Sequence, residues 1–284
     1  MNAARIIAVF SLQESVRRRV FLVVGLLTLA FLGLYGLGAW QLFDSAGEFD
    51  EPIRGVDGRT VAGATVQGLA MFATMFLGTI LAVFLTLGAV RGDAERGLLQ
   101  PVLVRPVRRR TVLLGRFIAA SGVCMAYVTV IFFATVVLTW AFSDWWPDRV
   151  VVPAIQLALA VAVIAALSLA GSVVLASTAN GIAVFMLFGA GLTAGLLGQI
   201  SEALGSHTLD RISDIVSWAL PFEALYQSAL SQLTADTVGF TRLAIDLGPF
   251  GGAQSGGPEL WLWSLVYLVV VGIAATTAFA RRDL

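Results

Sequence analysis

Six stretches of about twenty residues, none carrying Asp, Glu, Lys or Arg, dominate the chain and leave it few ways to fold. Crossing the hydrocarbon core of a bilayer as helix takes about 20 apolar residues, because every backbone group must find its partner within the segment. The stretches lie near 20–40, 66–90, 117–141, 151–176, 182–200 and 260–280. With 58% hydrophobic and only 13% charged residues the chain is too apolar for an ordinary soluble domain, which carries roughly twice that charge. The expected fold class is therefore an all-α membrane protein with six transmembrane helices over 20–284. The first stretch follows three arginines, as a secretory signal would. It is too long, and "GLGAW" too poor a cleavage site, so a retained anchor is expected. Before it, residues 1–19 set Ile6, Ile7 and Phe10 along one helical face, which suits an amphipathic helix lying on the inner leaflet.

Arginine placement orients the bundle, since basic residues are retained on the cytoplasmic face. All 18 basic residues are arginine. Thirteen of the 18 lie before the first span, between the second and third, or after the sixth, together with only Glu14, Asp93, Glu95 and Asp283 of the acids. Both termini are thus expected in the cytoplasm, with 91–116 as a cytoplasmic loop and 201–259 as an extracytoplasmic, membrane-associated segment. All seven tryptophans fall at or beyond the outer ends of these spans, where indoles favour the headgroup level. Within the outer segment the alternation of apolar and polar residues from Arg211 to Leu233 predicts two short interfacial helices broken near Pro221. A Gly/Pro-rich linker then leads into the sixth span.

Several chemistries are excluded. Without a lysine the chain cannot supply a Walker A loop, a protein-kinase site or a Schiff base. If it uses ATP, another polypeptide binds it. A single cysteine, Cys124 in an apolar run, excludes a disulfide framework and a cysteine-rich metal site. Ion-coupled transporters and intramembrane enzymes mark their spans with ionisable groups, which these spans lack. His207 reads as a surface residue, and Ser168, Ser172 and Thr135 as packing or backbone-bonding groups, so no catalytic and no metal-binding residues are assigned. No nucleic-acid partner is expected. Gly191 and Gly195, with Gly198 a turn further on, form a small-residue face that lets another helix approach, either within the chain or across a dimer seam.

The basic loop holds an aliphatic knuckle. Leu98, Leu99, Val102 and Leu103 gather on one side of a helix that Gly97 precedes and Pro106 stops, with Pro101 in its first turn. Burying four such side chains contributes about 6 to 12 kcal/mol gross before ordering is subtracted. Either a lipid surface or a cytosolic protein could cover them, and spacing alone does not choose.

The order Glu95, Gly97, Leu98, Leu99, Leu103, Arg105, Pro106, Arg109, Leu113, Leu114, Gly115, Arg116 resembles the loop between helices two and three of ABC-2 type permeases. These are membrane subunits of ATP-binding cassette transporters. The subgroup it most resembles is the permeases associated with multicopper-enzyme maturation. Leu98 stands where the family often has Thr, and Arg116 where it often has Lys. The resemblance implies a type V exporter-like ABC-2 permease fold, with an N-terminal interfacial helix and a cytoplasmic coupling helix. It implies that Glu95, Gly97, Leu98, Leu99, Val102, Leu103, Arg105, Pro106 and Arg109 meet a cognate ABC ATPase. The short turn at "STANG", with Ser177, Thr178 and Asn180, would make a second, smaller contact. It further implies a second permease copy or paralogue as dimer partner, a location in the cell's inner (plasma) membrane beside its lipids, and no cofactor held by this chain, ATP and Mg being held by the ATPase. The expected function is a permease subunit, an exporter, that is not itself an enzyme. The alternatives are an ATP-independent channel or scaffold, or an intramembrane enzyme acting without a buried acid, base or metal cluster.

Overall fold

A computed structural model of the protein describes residues 20–44, 56–86, 109–204, 207–246 and 255–281. The amphipathic segment 1–19 and residues 91–108 of the basic loop lie outside the described residues. The elements run α1 (Val20–Asp44), α2 (Gly58–Thr86), α3 (Arg109–Ser143), α4 (Val151–Val174), α5 (Ser177–Leu204), α6 (His207–Ala219), α7 (Pro221–Ser231), a 3-10 turn (Gln232–Thr234), α8 (Gly239–Asp246) and α9 (Pro258–Ala280). Six of them, α1 to α5 and α9, are long and apolar enough to cross a membrane.

The helices are not equivalent. In α4 78% of the most apolar window is buried, against 17% in α1 and in α9. A helix that is apolar all round belongs in the centre of a bundle, and α4 packs against α2, α3, α7 and α9. Its buried alanines, among them Ala154, Ala158, Ala160, Ala162 and Ala165, keep the neighbouring axes close. Gly78 of α2 serves the same end: a Cβ there would lie 2.5 Å from Val128 of α3 and 3.1 Å from Val161 of α4.

Polar side chains inside the bundle are satisfied locally. Thr28, Thr74, Thr79 and Thr86 each donate to the carbonyl four residues earlier, at 2.7 to 2.8 Å, which hides a hydroxyl in an apolar medium. Three helices are also joined by hydrogen bonds. Thr139 of α3 donates to Oε1 of Gln67 of α2 at 2.8 Å, Gln67 Nε2 donates to Thr135 at 3.2 Å, and the Tyr35 hydroxyl of α1 bonds the Thr139 hydroxyl.

Several boundaries depart from the sequence expectation, those of α2 and α3 most widely, and α5 too is longer than expected, from Ser177 to Leu204. Helix α2 begins at Gly58 rather than near Val66, because Asp57 caps it: its carboxylate accepts from the backbone N–H of Arg59 and Thr60 at 3.1 and 3.3 Å. Helix α3 begins at Arg109 rather than near Phe117, so the polar run "RRTVLLGR" is helical and the helix reaches 35 residues. At about 1.5 Å per residue that is roughly 50 Å, well beyond the ~30 Å of hydrocarbon.

Candidate functional site

The end of the bundle where α3 begins is the end expected to meet an ATPase. Glu95, Gly97, Leu98, Leu99, Val102, Leu103, Arg105 and Pro106 lie outside the described residues, whereas Arg109 opens α3. From there Leu113 packs with Leu169 and Val173 of α4 and with Ala275 and Phe279 of α9. Beside this cluster a 420 Å³ apolar groove runs between α3, α4 and α9, with exposed Arg110 at its rim. The α4–α5 junction shares this end of the bundle; the three residues expected in its connecting turn lie instead in the first turn of α5, and they divide. Thr178 is exposed and Ser177 half-buried. Asn180 is 1% exposed, and its amide donates to the Ser168 carbonyl at 2.9 Å while its oxygen lies against Gly171. Asn180 thus closes α5 onto α4, and any surface contact of this turn falls to Ser177 and Thr178. Ser168 bonds Thr86 at 2.6 Å and Ser172 donates to the Leu169 carbonyl at 2.7 Å, so both hydroxyls are engaged in packing.

At the opposite end the tryptophans gather. Trp140 meets Trp146 edge to face, the Trp145 ring lies over Gly63 at the start of α2, and Trp263 of α9 donates its indole N–H to the Trp218 carbonyl of α6 at 2.9 Å. Helices α6 and α7 meet at this end, separated by Leu220, and Pro221 occupies the first turn of α7, where its missing N–H does no harm. The two differ in depth. Helix α6 turns Ile212, Ile215 and Trp218 outward, as an interfacial helix does. Helix α7 instead lodges among α4, α5, α6 and α9, and buries Phe222, Glu223, Leu225, Tyr226 and Ser228. Gln156 of α4 donates to Ser228 at 2.7 Å and ties α7 to the central helix.

The G-x-x-x-G face of α5 makes this insertion possible. A Cβ on Gly191 would stand 2.7 Å from the Phe222 ring, and one on Gly195 would collide with Oε1 of Glu223. Gly191 and Gly195 are therefore an intramolecular cradle for α7; Gly198 continues along the same helix. The residue in that cradle, Glu223, is the one that the sequence reading passed over. It is 2% exposed, and its Oε1 has no hydrogen-bond partner among the described residues. Burial pushes its carboxyl from an ordinary 4.5 up to about 7, against a smaller downward pull from the Gln227 side chain. The same burial, with Glu223 beside it, raises the Tyr226 phenol. A cavity of 190 Å³ adjoins the carboxyl, lined also by Asp214, Gln227, Glu259, Trp218 and Trp263. His207, at the start of α6, is exposed.

Six membrane-length helices, one of them a buried central helix, with a short helix inserted at one end, define a multi-pass α-helical membrane protein. From residue 5 to residue 284 the sequence matches the family model described as ABC-2 family transporter protein. The match takes in nearly the whole chain, so the protein belongs to that family and is a membrane permease component of an ABC transporter. No curated protein matches the chain.

Proposed function

We propose that the chain is the permease half of an exporter, with the 91–116 loop carrying a coupling helix that seats its Leu98, Leu99, Val102 and Leu103 face in a groove on a separate ABC ATPase. ATP and Mg are bound by that partner, and two permease chains together enclose the pathway. Both termini then lie in the cytoplasm, and the membrane is the cell's inner (plasma) membrane. Within the family, the loop's resemblance supports a kinship with the permeases associated with multicopper-enzyme maturation.

The observation that carries this reading is the continuity of α3. It runs unbroken from Arg109 to Ser143 and packs against α2 and α4, so a displacement of the loop is passed to the centre of the bundle instead of being absorbed at a hinge. A nucleotide drives such a change only by binding two conformations with different affinity, which requires a rigid connection between ATPase and spans.

The test is Leu99→Asp combined with Leu103→Asp. The double variant is expected to insert normally, to lose co-purification with the ATPase, and to leave ATP hydrolysis indifferent to the permease. Retained coupling would remove the docking role, whereas failure of the wild type to co-purify with any ATPase would favour an ATP-independent channel or scaffold.

A further inference from the structure

We propose that the cavity beside Glu223 binds an ammonium group, carried either by a small free amine or by an aminophospholipid headgroup. The cavity lies at the tryptophan-bearing end, away from the proposed ATPase contact, and its ligand is independent of that contact.

Three carboxylates line the cavity, and no arginine does so among the described residues. Asp214 on α6 and Glu259 in the first turn of α9 are exposed, whereas Glu223 is buried. Exposed acids alone would be a solvated face. Glu223 differs because its Oε1 is buried and lacks a donor, and an unmatched buried acceptor destabilises a fold unless something supplies a proton or a cation. The Gln227 Oε1, one helical turn along α7, is a second acceptor without a donor. A cavity lined by two residues with unmet acceptors suits a ligand with more than one N–H, and an ammonium carries three.

The aromatic residues favour an organic cation over a bare metal ion. Trp218 and Trp263 stand edge to face with ring centroids 5.3 Å apart, and the Trp263 N–H is already committed to the Trp218 carbonyl. Trp263 is left with its ring face to offer a ligand, and a cation over an indole face is attracted by the ring quadrupole. At 190 Å³ the space exceeds the ~30 Å³ share of one water several times over, which suits an ammonium with part of its carbon chain. An anion would meet three carboxylates and no compensating charge.

The full-length chain, reconstituted in nanodiscs of phosphatidylglycerol alone, is titrated calorimetrically with phenethylammonium. Saturable binding is expected, weakened about tenfold or more by Glu223→Gln, which keeps the shape and removes the charge. Asp214→Asn with Glu259→Gln alters only exposed positions, leaves folding untouched, and is expected to weaken binding about threefold. Repeating the titration with phosphatidylethanolamine in the disc separates the sources. An apparent affinity lowered for the wild type and not for Glu223→Gln assigns the site to the lipid headgroup; an unchanged affinity assigns it to a free amine. Absence of saturable binding in phosphatidylglycerol discs would overturn the proposal, as would equal affinity in wild type and both variants.

Discussion

Three glycines of α5 illustrate how one residue type does different work along a single helix. Around Gly189 a Cβ would meet nothing within 4 Å, whereas at Gly191 it would enter the Phe222 ring and at Gly195 it would displace the Glu223 carboxylate. Gly189→Ala is therefore expected to hold or raise stability, by up to about 1 kcal/mol from helix propensity. Gly191→Ala and Gly195→Ala should each lower it by about 1 to 3 kcal/mol through overpacking. Thermal unfolding in detergent, followed by loss of the monodisperse peak, ranks the three. Equal melting for all of them would mean that α7 does not sit in this cradle.

Glu223 adds a pH dependence with a definite sign. Its carboxyl holds its proton more tightly in the fold, near pH 7, than at its ordinary 4.5. The stability it confers is thus complete below about pH 4.5, is lost as pH rises to about 7, and changes no further above that, for a total of about 3 kcal/mol. The titratable groups facing it are Asp214 of α6, Glu259 of α9 and Tyr226 of α7 itself. Helix α4 and the Gly191 to Gly195 stretch of α5 contribute none. Melting measured from pH 5 to 8 without amines should fall for the wild type relative to Glu223→Gln, and parallel curves would refute an unpaired buried carboxyl.

At the scale of elements, the spans were legible because a bilayer demands length and apolarity, and both can be read directly. What could not be read was where polar chain remains helical. Asp57 extends α2 through a cap that looks, in sequence, like one more turn former, and "RRTVLLGR" extends α3 because nothing in it breaks a helix once Pro106 is past. Helix α7 is a third instance. Its Glu, Gln, Ser and Tyr spell an interfacial helix, and only the small-residue face of α5 together with Gln156 of α4 lets it sink. The G-x-x-x-G pair announced a close approach without naming its partner. The projecting first turns of α3 make a sharp prediction. Leu114→Pro removes a hydrogen bond there and clashes with the preceding turn, which destabilises a helix by about 3 kcal/mol or more. It should leave insertion intact yet abolish the effect of the ATPase on the bundle, whereas exposed Leu114→Ala should not. Permease-stimulated ATP hydrolysis in reconstituted discs distinguishes them.

For the whole molecule, the two ends differ in character, and the proposed orientation rests on that difference. One end carries the arginine-rich start of α3 and the α4–α5 turn; the other carries the tryptophans, the α6–α7 pair and an outer polar cluster in which Arg149 bonds Gln232 at 2.8 Å and Asp148 accepts from the Asp236 N–H at 2.9 Å. In the proposed orientation, arginine bias retains the first end in the cytoplasm and the indoles of the second sit at headgroup level. Which helix occupies the centre was not legible, since all six spans are apolar on every side and periodicity reports a buried face only when a polar one opposes it. Sidedness can be measured without disturbing the core, because the only thiol, Cys124, is 0% exposed and should stay silent. Thr178→Cys and Val238→Cys place exposed thiols at the two ends, Val238 being 80% exposed. A membrane-impermeant maleimide applied to intact cells is expected to modify Val238→Cys and not Thr178→Cys, and both after lysis. The reverse labelling would turn the bundle over, and with it the end at which an ATPase could dock.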